Sequence, residues 1–145
     1  MKTYRIYLDN CCFNRPYDDQ TKLRIWLETQ AKLHIQALVY EHKVALVWSF
    51  MLKFENSRNI FKSKKNAIAE WEFLSITFVE KSENIREIAK KIMITGIKDA
   101  DAVHIACAIA GKCDYFITVD KRLWKYKDKR ITICNPIEFI NQFEI

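Results

Sequence analysis

Residues 98–120, KDADAVHIACAIAGKCDYFITVD, decide the fold of this chain. Every residue from Ala102 to Ala110 except His104 is small or apolar, which predicts a helix that is buried on most of its sides. We expect Gly111 to end this helix as a left-handed C-terminal cap. The mostly apolar residues 115–119 then predict a short strand of the kind that is buried in a parallel sheet.

Outward from this block, strand and helix patterns alternate along the chain. Short apolar runs predict strands at residues 4–8, 44–48, 76–79, 115–119 and 131–134. Helices are predicted over residues 21–42, 50–61 and 66–74, between Ser82 and Gly96, and from Asn135 onward. Ser49, Ser82 and Asn135 are predicted N-caps, the last with Pro136 and Glu138 completing a strong helix start. This alternation predicts a mainly parallel sheet with helices on both faces.

Three local predictions concern the segments between these elements. Residues 10–19 carry Pro16 among Asn and Asp residues, which predicts a loop. The lysines at positions 62, 64 and 65 predict a break between two helices. The helix over residues 21–42 has an apolar stripe at helical spacing, the pattern of a face that packs on a core, formed by Leu23, Trp26, Leu27, Ala31, Ile35 and Leu38.

Length and composition predict one globular domain over residues 1–145. Half of the 145 residues are hydrophobic, and Gly and Pro occur only twice each. The five cysteines form no CxxC pair, so we expect reduced core thiols in a cytoplasmic protein rather than zinc or disulfides. We expect no signal peptide and no membrane span. The net charge of +6 includes six basic residues within positions 121–130, which suit either a nucleic-acid partner or a solvated loop.

Four acidic residues are candidates for a metal site. Asp9 and Asp120 follow predicted strands, and the carboxyl ends of parallel strands meet at one edge of a sheet. Glu55 and Asp101 lie in the early turns of helices that begin at that edge. Converging carboxylates raise each other's pKa, and a divalent ion such as Mg²⁺ or Mn²⁺ relieves their repulsion. Three of them also have a simpler interpretation, which is a turn former for Asp9, a solvated residue for Glu55 and a helix cap for Asp120, whereas Asp101 is the hardest to explain in that way because the residues after it are so uniformly apolar.

Segments spread over nearly the whole chain resemble the PIN-domain family, the nuclease domains of VapC-like toxins and related ribonucleases. These segments are Ile6-Tyr7-Leu8-Asp9, Ser49 with Glu55 six residues later, Asp101-Ala102-Val103-His104-Ile105-Ala106-Cys107-Ala108, and Phe116-Ile117-Thr118-Val119-Asp120. The most specific part is the Asp-Ala-x-x-x-Ala-x-Ala helix followed by Thr-x-Asp. The resemblance implies a three-layer α/β/α sandwich, an acidic Mg²⁺ or Mn²⁺ site, and RNA cleavage that leaves a 5′-phosphate and a 3′-hydroxyl.

The resemblance also assigns site residues by position. The family's acidic residues correspond to Asp9, Glu55, Asp101 and Asp120, with Thr118 and Ser49 as supporting residues. The chain departs from the family after Asp9, where Asn10, Cys11 and Cys12 replace a Thr or Ser that many relatives carry. We expect Asn10 to hydrogen-bond a metal-bound water.

Five further residues have interpretations that favour structure over chemistry. Asp99 is expected to be the N-cap of its helix. His104 is expected to be a buried histidine with satisfied hydrogen bonds, with support of the metal site as the alternative. Arg15 is expected to be an exposed loop residue rather than a phosphate contact. Cys11, like Cys12, has no base beside it in sequence, which argues against thiol catalysis.

The sequence therefore predicts a metal-dependent endoribonuclease, with an antitoxin partner and a homodimer implied by the resemblance to VapC-like toxins. We expect residues 121–130 to contact the RNA backbone. One alternative is a non-catalytic PIN-like module that binds RNA or protein. Another is a phosphohydrolase with Asp9 as nucleophile, but the best-known such family has a second Asp where Cys11 stands here.

Overall fold

A five-stranded parallel sheet forms the centre of the computed structural model, which describes residues 2–144. The strands, in chain order, are β1 (Arg5–Leu8), β2 (Ala45–Ser49), β3 (Thr77–Val79), β4 (Tyr115–Ile117) and β5 (Thr132–Cys134). Their order across the sheet is β3-β2-β1-β4-β5, and every neighbouring pair is parallel. β1 is therefore central, and its residues Ile6, Tyr7 and Leu8 are almost fully buried.

Seven α-helices of the described residues surround the sheet. They are α1 (Asn10–Asn14), α2 (Leu23–Tyr40), α3 (Phe50–Ser57), α4 (Lys62–Leu74), α5 (Glu83–Ile94), α6 (Asp99–Ala110) and α7 (Pro136–Phe143). α5 packs mainly on α6, and α2 packs mainly on α7. The predicted fold class, a three-layer α/β/α sandwich with a mainly parallel sheet, is confirmed. No helix in this part of the chain combines the length and hydropathy needed to cross a bilayer.

The buried helix predicted from residues 102–110 is α6, but its end differs from the prediction. Gly111 has φ −77°, so it is not the left-handed residue; Lys112 takes that conformation with φ 57°. A glycine is instead required at position 111 by lack of space, because a Cβ there would lie 2.9 Å from Val47 Cγ1 and 3.1 Å from Val79 Cγ2. The glycine lets the end of α6 approach β2 and β3 closely.

The apolar stripe predicted for α2 does not form one buried face. Ile35 and Leu38 are buried, whereas Leu23, Trp26 and Leu27 are exposed. Polar residues take the buried positions along this helix, namely Glu28, Thr29, Lys32 and Gln36. The physical reason is an ion pair beneath the helix, in which Arg15 Nη2 lies 2.9 Å from Glu28 Oε1.

The loop predicted for residues 10–19 is also wrong in its first part. Asp9 accepts a hydrogen bond from the backbone N–H of Asn10 and starts α1, which runs into a 3₁₀ turn at Arg15–Tyr17. Arg15 is half-buried and paired with Glu28 and Asp18, so it is not the exposed loop residue that was expected.

The predicted N-caps Ser49, Ser82 and Asn135 are confirmed, whereas the predicted break between two helices lies elsewhere. Ser49 and Ser82 accept hydrogen bonds from backbone N–H groups in the first turns of α3 and α5, and Asn135 forms a capping box with Glu138. The lysines at 62, 64 and 65 lie inside α4, and the break falls before them because α3 ends at Ser57. Lysine is a good helix former, which explains why these residues begin a helix rather than interrupt one.

Candidate functional site

The candidate site lies at the carboxyl edge of the central strands. Asp9 directly follows β1, and Asp120 lies three residues beyond the end of β4. α3 begins directly after β2 and carries Glu55, and α6 carries Asp101 in its first turn. Parallel strands place their ligand-binding crevice at this edge.

Asp9 is the most firmly held carboxylate of the site. It is 6% exposed. Its Oδ1 accepts a 2.8 Å hydrogen bond from the Asn10 backbone N–H, and its Oδ2 accepts a 3.0 Å bond from Thr118 Oγ1. Thr118 Oγ1 also accepts a 3.1 Å bond from the Asp120 backbone N–H, so one hydroxyl ties the ends of β1 and β4 together. The carboxylate orientation is therefore fixed before any ligand binds.

Glu55 is joined to the core by a chain of short hydrogen bonds. His104 Nε2 lies 2.6 Å from Glu55 Oε1, and His104 Nδ1 lies 2.6 Å from Tyr7 Oη. Tyr7 Oη lies 2.7 Å from Ser49 Oγ, which also accepts the backbone N–H of Leu52. His104 is therefore buried and hydrogen-bonded at both ring nitrogens, as expected, and it also reaches the site.

Asp9, Glu55 and His104 form a compact group of ligand atoms. One donor atom from each lies within 4.8 Å of the other two, and His104 Nε2 lies 3.9 Å from Asp9 Oδ1. Two carboxylates and an imidazole are ligands that first-row divalent ions accept. The donor set and its spacing thus fit a divalent ion.

Asp101 and Asp120 lie outside that three-residue group and have different surroundings. Burial, reinforced by the negative charges of Asp9 and Asp120, raises the pKa of Asp101. Asp120 pairs with Arg122, whose Nη2 lies 2.6 Å from its Oδ2, and this hydrogen bond lowers the pKa of Asp120. An approaching cation would therefore favour the charged form of the Asp101 carboxyl, whereas Asp120 already has a cationic partner in Arg122.

Asp120 also caps the 3₁₀ turn Lys121–Leu123 by accepting the backbone N–H of Arg122. This geometry matches its simpler interpretation without removing its carboxylate from the edge of the sheet. The N-cap prediction for Asp99 is wrong, because Lys98 occupies that position and Asp99 is the first residue of α6. An acidic residue in the first turn still favours the helix through its dipole.

Opposing influences act on the protonation of His104. Burial alone would lower its pKa, but the hydrogen bond to Glu55 and the negative charges of Asp9, Glu55 and Asp101 together raise it. The carboxylates around His104 thus favour the protonated form of its ring.

The cysteines near the site have little nucleophilic character or serve as polar contacts. Burial raises the pKa of Cys12 well above its usual value, so its thiol stays protonated. Cys11 Sγ lies 3.5 Å from Asp9 Oδ2 and 3.3 Å from Thr118 Oγ1, within the hydrogen-bonded network that holds the carboxylate. The backbone of Asn10 supports Asp9 through the bond described above.

The basic segment 121–130 continues outward from the site. Its six Lys and Arg residues are all exposed. A groove of about 430 Å³ beside it is lined in part by Arg122, Lys125 and Lys127. Arg122 also lines a smaller adjoining pocket that contains Asp101, so the positive groove leads to the acidic edge.

Sequence reasoning missed the roles of Tyr7 and of His104 as a link between two carboxylates. The available signal was the spacing of His104 three residues after Asp101, which placed it near the same helix face. Nothing in the local sequence shows that a tyrosine in β1 reaches both a serine after β2 and a histidine in α6.

Comparison with known proteins identifies the family and supports the fold. A family model described as the PIN domain matches residues 6–129. No curated protein matches the sequence significantly.

Two solved structures share the fold. VapBC2 from Rickettsia felis, solved bound to a DNA fragment from its promoter, gives a TM-score of 0.54 at 12% identity and covers 90% of this chain and 98% of its own. FitAcB from Neisseria gonorrhoeae gives a TM-score of 0.55 at 20% identity and covers 91% of this chain and 98% of its own.

Proposed function

Because this chain belongs to the PIN-domain family, we propose that it is an Mg²⁺- or Mn²⁺-dependent endoribonuclease that hydrolyses RNA phosphodiester bonds. The observation that carries the proposal is the convergence of Asp9, Glu55 and His104 at the carboxyl edge of the sheet, with their donor atoms within 4.8 Å of one another. Burial and the charges of Asp9 and Asp120 raise the pKa of Asp101. This shift indicates unbalanced negative charge around Asp101, which a bound cation would offset.

In this proposal Asp9, Asp101 and Asp120 hold the ion directly or through water, and Glu55 completes the set, supports a second ion or positions the water. A bound divalent ion supplies charge neutralisation and a more acidic water. Thr118 keeps the Asp9 carboxylate aimed at the crevice through its 3.0 Å hydrogen bond. Arg122, which is largely exposed, leaves Asp120 free when it turns toward an RNA phosphate instead. Asn10 is proposed to hydrogen-bond a water at the site.

We propose that the RNA backbone follows the basic groove described above. Lys and Arg side chains neutralise phosphates there without reading base sequence. Through Arg122 the groove adjoins the smaller pocket that Asp101 lines, and we propose that the RNA backbone passes from the groove toward this carboxylate. Binding should therefore weaken as the salt concentration rises.

We further propose that the chain is the toxin of a type II toxin–antitoxin module that acts in the cytoplasm. The fold shared with VapBC2 and FitAcB and the resemblance to VapC-like toxins support this proposal. An antitoxin would need an apolar surface, and α2 offers one in its exposed residues Leu23, Trp26, Leu27, Leu33 and Tyr40. A homodimer is the other assembly that such a surface would support.

A non-catalytic RNA- or protein-binding module is the second candidate. The ion pair between Asp120 and Arg122 favours this candidate, because one of the four predicted metal-binding carboxylates is already paired with a cation of the same chain. The two candidates differ in whether bound RNA is cut.

Incubation of a mixed RNA pool with the protein in Mg²⁺, Mn²⁺ or EDTA separates these candidates. The proposed nuclease cuts the RNA with either ion, leaves 5′-phosphate ends, and is silent in EDTA. A protein that retains RNA in Mn²⁺ without cutting any of it would instead be the binding module.

A further inference from the structure

We propose that His104 is a nitrogen ligand of the metal centre and gives it a preference for Mn²⁺ and the later first-row divalent ions over Mg²⁺. This inference rests on the metal-dependent function proposed above and adds a ligand to the four predicted carboxylates. It also assigns a role to a buried histidine that the carboxylate site alone does not require.

The distances around His104 Nε2 suit a shared ion. Nε2 lies 2.6 Å from Glu55 Oε1 and 3.9 Å from Asp9 Oδ1. An ion with bonds of about 2.1 Å separates its ligand atoms by roughly 3 Å when adjacent and roughly 4 Å when opposite. The three donor atoms therefore need only small shifts to surround one ion.

The other side of the histidine ring is held as it is in known metal sites. A metal-bound histidine usually donates its second ring N–H to a neighbouring acceptor, which fixes the ring and the tautomer. Here Nδ1 lies 2.6 Å from Tyr7 Oη, and Tyr7 is fully buried and linked to Ser49. With Nδ1–H donated to Tyr7, the lone pair of Nε2 points at the two carboxylates.

The charges facing His104 explain what an ion would replace. Asp9 faces it from the end of β1, Glu55 from α3, and Asp101 from its own helix α6. His104 Nε2 lies within 4 Å of a carboxylate oxygen of both Asp9 and Glu55. A divalent ion bound at Nε2 would supply positive charge to the same carboxylates.

A purely structural histidine would make the same contacts in the absence of metal, so the ligand role needs a metal-bound observation. Mg²⁺ favours oxygen ligands. Imidazole binds Mn²⁺ better than it binds Mg²⁺, and it binds the later first-row ions better still. A nitrogen ligand therefore leaves two signatures, which are a direct spectroscopic coupling and a change in ion preference.

Pulsed electron paramagnetic resonance of the Mn²⁺-loaded full chain tests the direct coupling. We expect modulation from a directly bound ¹⁴N nucleus, and we expect it to change when histidine is supplied as ¹⁵N. The modulation is lost in His104→Gln and kept in His34→Gln, a matched control because His34 is exposed and pairs with Glu144. Bound Mn²⁺ without histidine modulation in the wild-type chain overturns the inference, and that measurement needs no variant to fold.

Calorimetric titration with Mn²⁺ and with Mg²⁺ tests the preference. His104→Gln, which offers an amide oxygen in place of Nε2, should lose at least about tenfold in Mn²⁺ affinity and clearly less in Mg²⁺ affinity. Equal losses for both ions contradict a nitrogen ligand. Mn²⁺ binding to the wild-type chain that is lost in Asp9→Asn would support the proposed metal site, and the results for His104 then decide this inference alone. If the wild-type chain shows no such binding, the proposed metal-dependent function fails along with this inference.

Discussion

Asp9 combines two roles that its place in the sequence presents as alternatives. Its Oδ1 caps α1 through the Asn10 N–H, and its Oδ2 is held by Thr118. Each of these bonds uses one oxygen, and each carboxylate oxygen has a further lone pair that can bind a cation. The turn-forming role therefore fixes the same carboxylate that the chemistry needs.

Lys32 carries a buried charge, and this charge leads to a prediction about stability. It is 4% exposed, lies over the ring of Phe13, and burial lowers its pKa to about 8. Its charged form at pH 7 therefore costs about 3 kcal/mol relative to an exposed lysine. Lys32→Met keeps the apolar stem without the charge, and we expect the free energy of unfolding at pH 7 to rise by about 1–2 kcal/mol after the cation–π contact is lost.

The sign of the pH dependence follows from the same shift. Between pH 8 and the ordinary lysine pKa of 10.5, the unfolded chain binds more protons at Lys32 than the folded chain does. The free-energy cost of burying Lys32 therefore falls as pH rises through this range, and the stability of the fold increases. The gap between Lys32→Met and wild type should therefore close between pH 7 and pH 9.5 in urea unfolding, because about 2 kcal/mol of the charging cost of Lys32 is relieved over this range. Lys91→Met on the exposed face of α5 is the control, and a gap that stays constant would contradict the account.

Among the elements, α6 connects the core to the site. Its small buried residues let it sit against β2 and β4, and Gly111 lets its end approach Val47. The same helix presents Asp101 in its first turn and His104 one turn later at the carboxyl edge. Rigid packing of one helix thus places two site residues without any loop between them.

α2 has the opposite character, because its polar residues are buried and several of its large apolar residues face solvent. Leu23 is 71% exposed and Trp26 is 46% exposed. We expect Trp26→Glu to abolish co-purification with the proposed antitoxin, taken as the product of the reading frame next to this one, because a charge at a buried apolar contact goes unpaired. Co-expression followed by affinity purification measures this effect.

Ile94→Glu is the control for that experiment, since Ile94 is 85% exposed at the end of α5, which packs on α6 rather than on α2. The control should co-purify as the wild type does. Equal retention of Trp26→Glu and wild type would mean that the partner binds elsewhere. A wild-type chain that forms dimers alone, and loses them with Trp26→Glu, would assign the surface to a second copy.

At the level of the whole molecule, the alternation of strands and helices was enough to predict the sheet and its helical layers. Buried strands are short continuous apolar runs here, and helix caps such as Ser49 and Asn135 use local hydrogen bonds that the sequence displays. The orientation of α2 could not be predicted, because it depends on Glu28 pairing with Arg15 from a separate segment.

The candidate site was predictable to the extent that it depends on strand ends. The topology brings Asp9 and Asp120 to one edge because β1 and β4 are parallel neighbours. The contact of His104 with Glu55 joins α6 to α3 across 49 positions of sequence and depends on side-chain orientation. Neither periodicity nor spacing carries that information, and the Asp120–Arg122 ion pair was hidden for the same reason.

The central claim is that the carboxylates at the edge of this sheet cut RNA with a divalent ion. Cleavage of one mapped RNA by wild type and by Asp9→Asn, in Mn²⁺ and in EDTA, tests it most directly. We expect Asp9→Asn to keep the thermal unfolding midpoint of the fold and to lose at least about a hundredfold in Mn²⁺-dependent cleavage, because the ion contributes several kcal/mol of charge stabilisation. Folded Asp9→Asn protein that cuts the same bonds at the wild-type rate would contradict the claim.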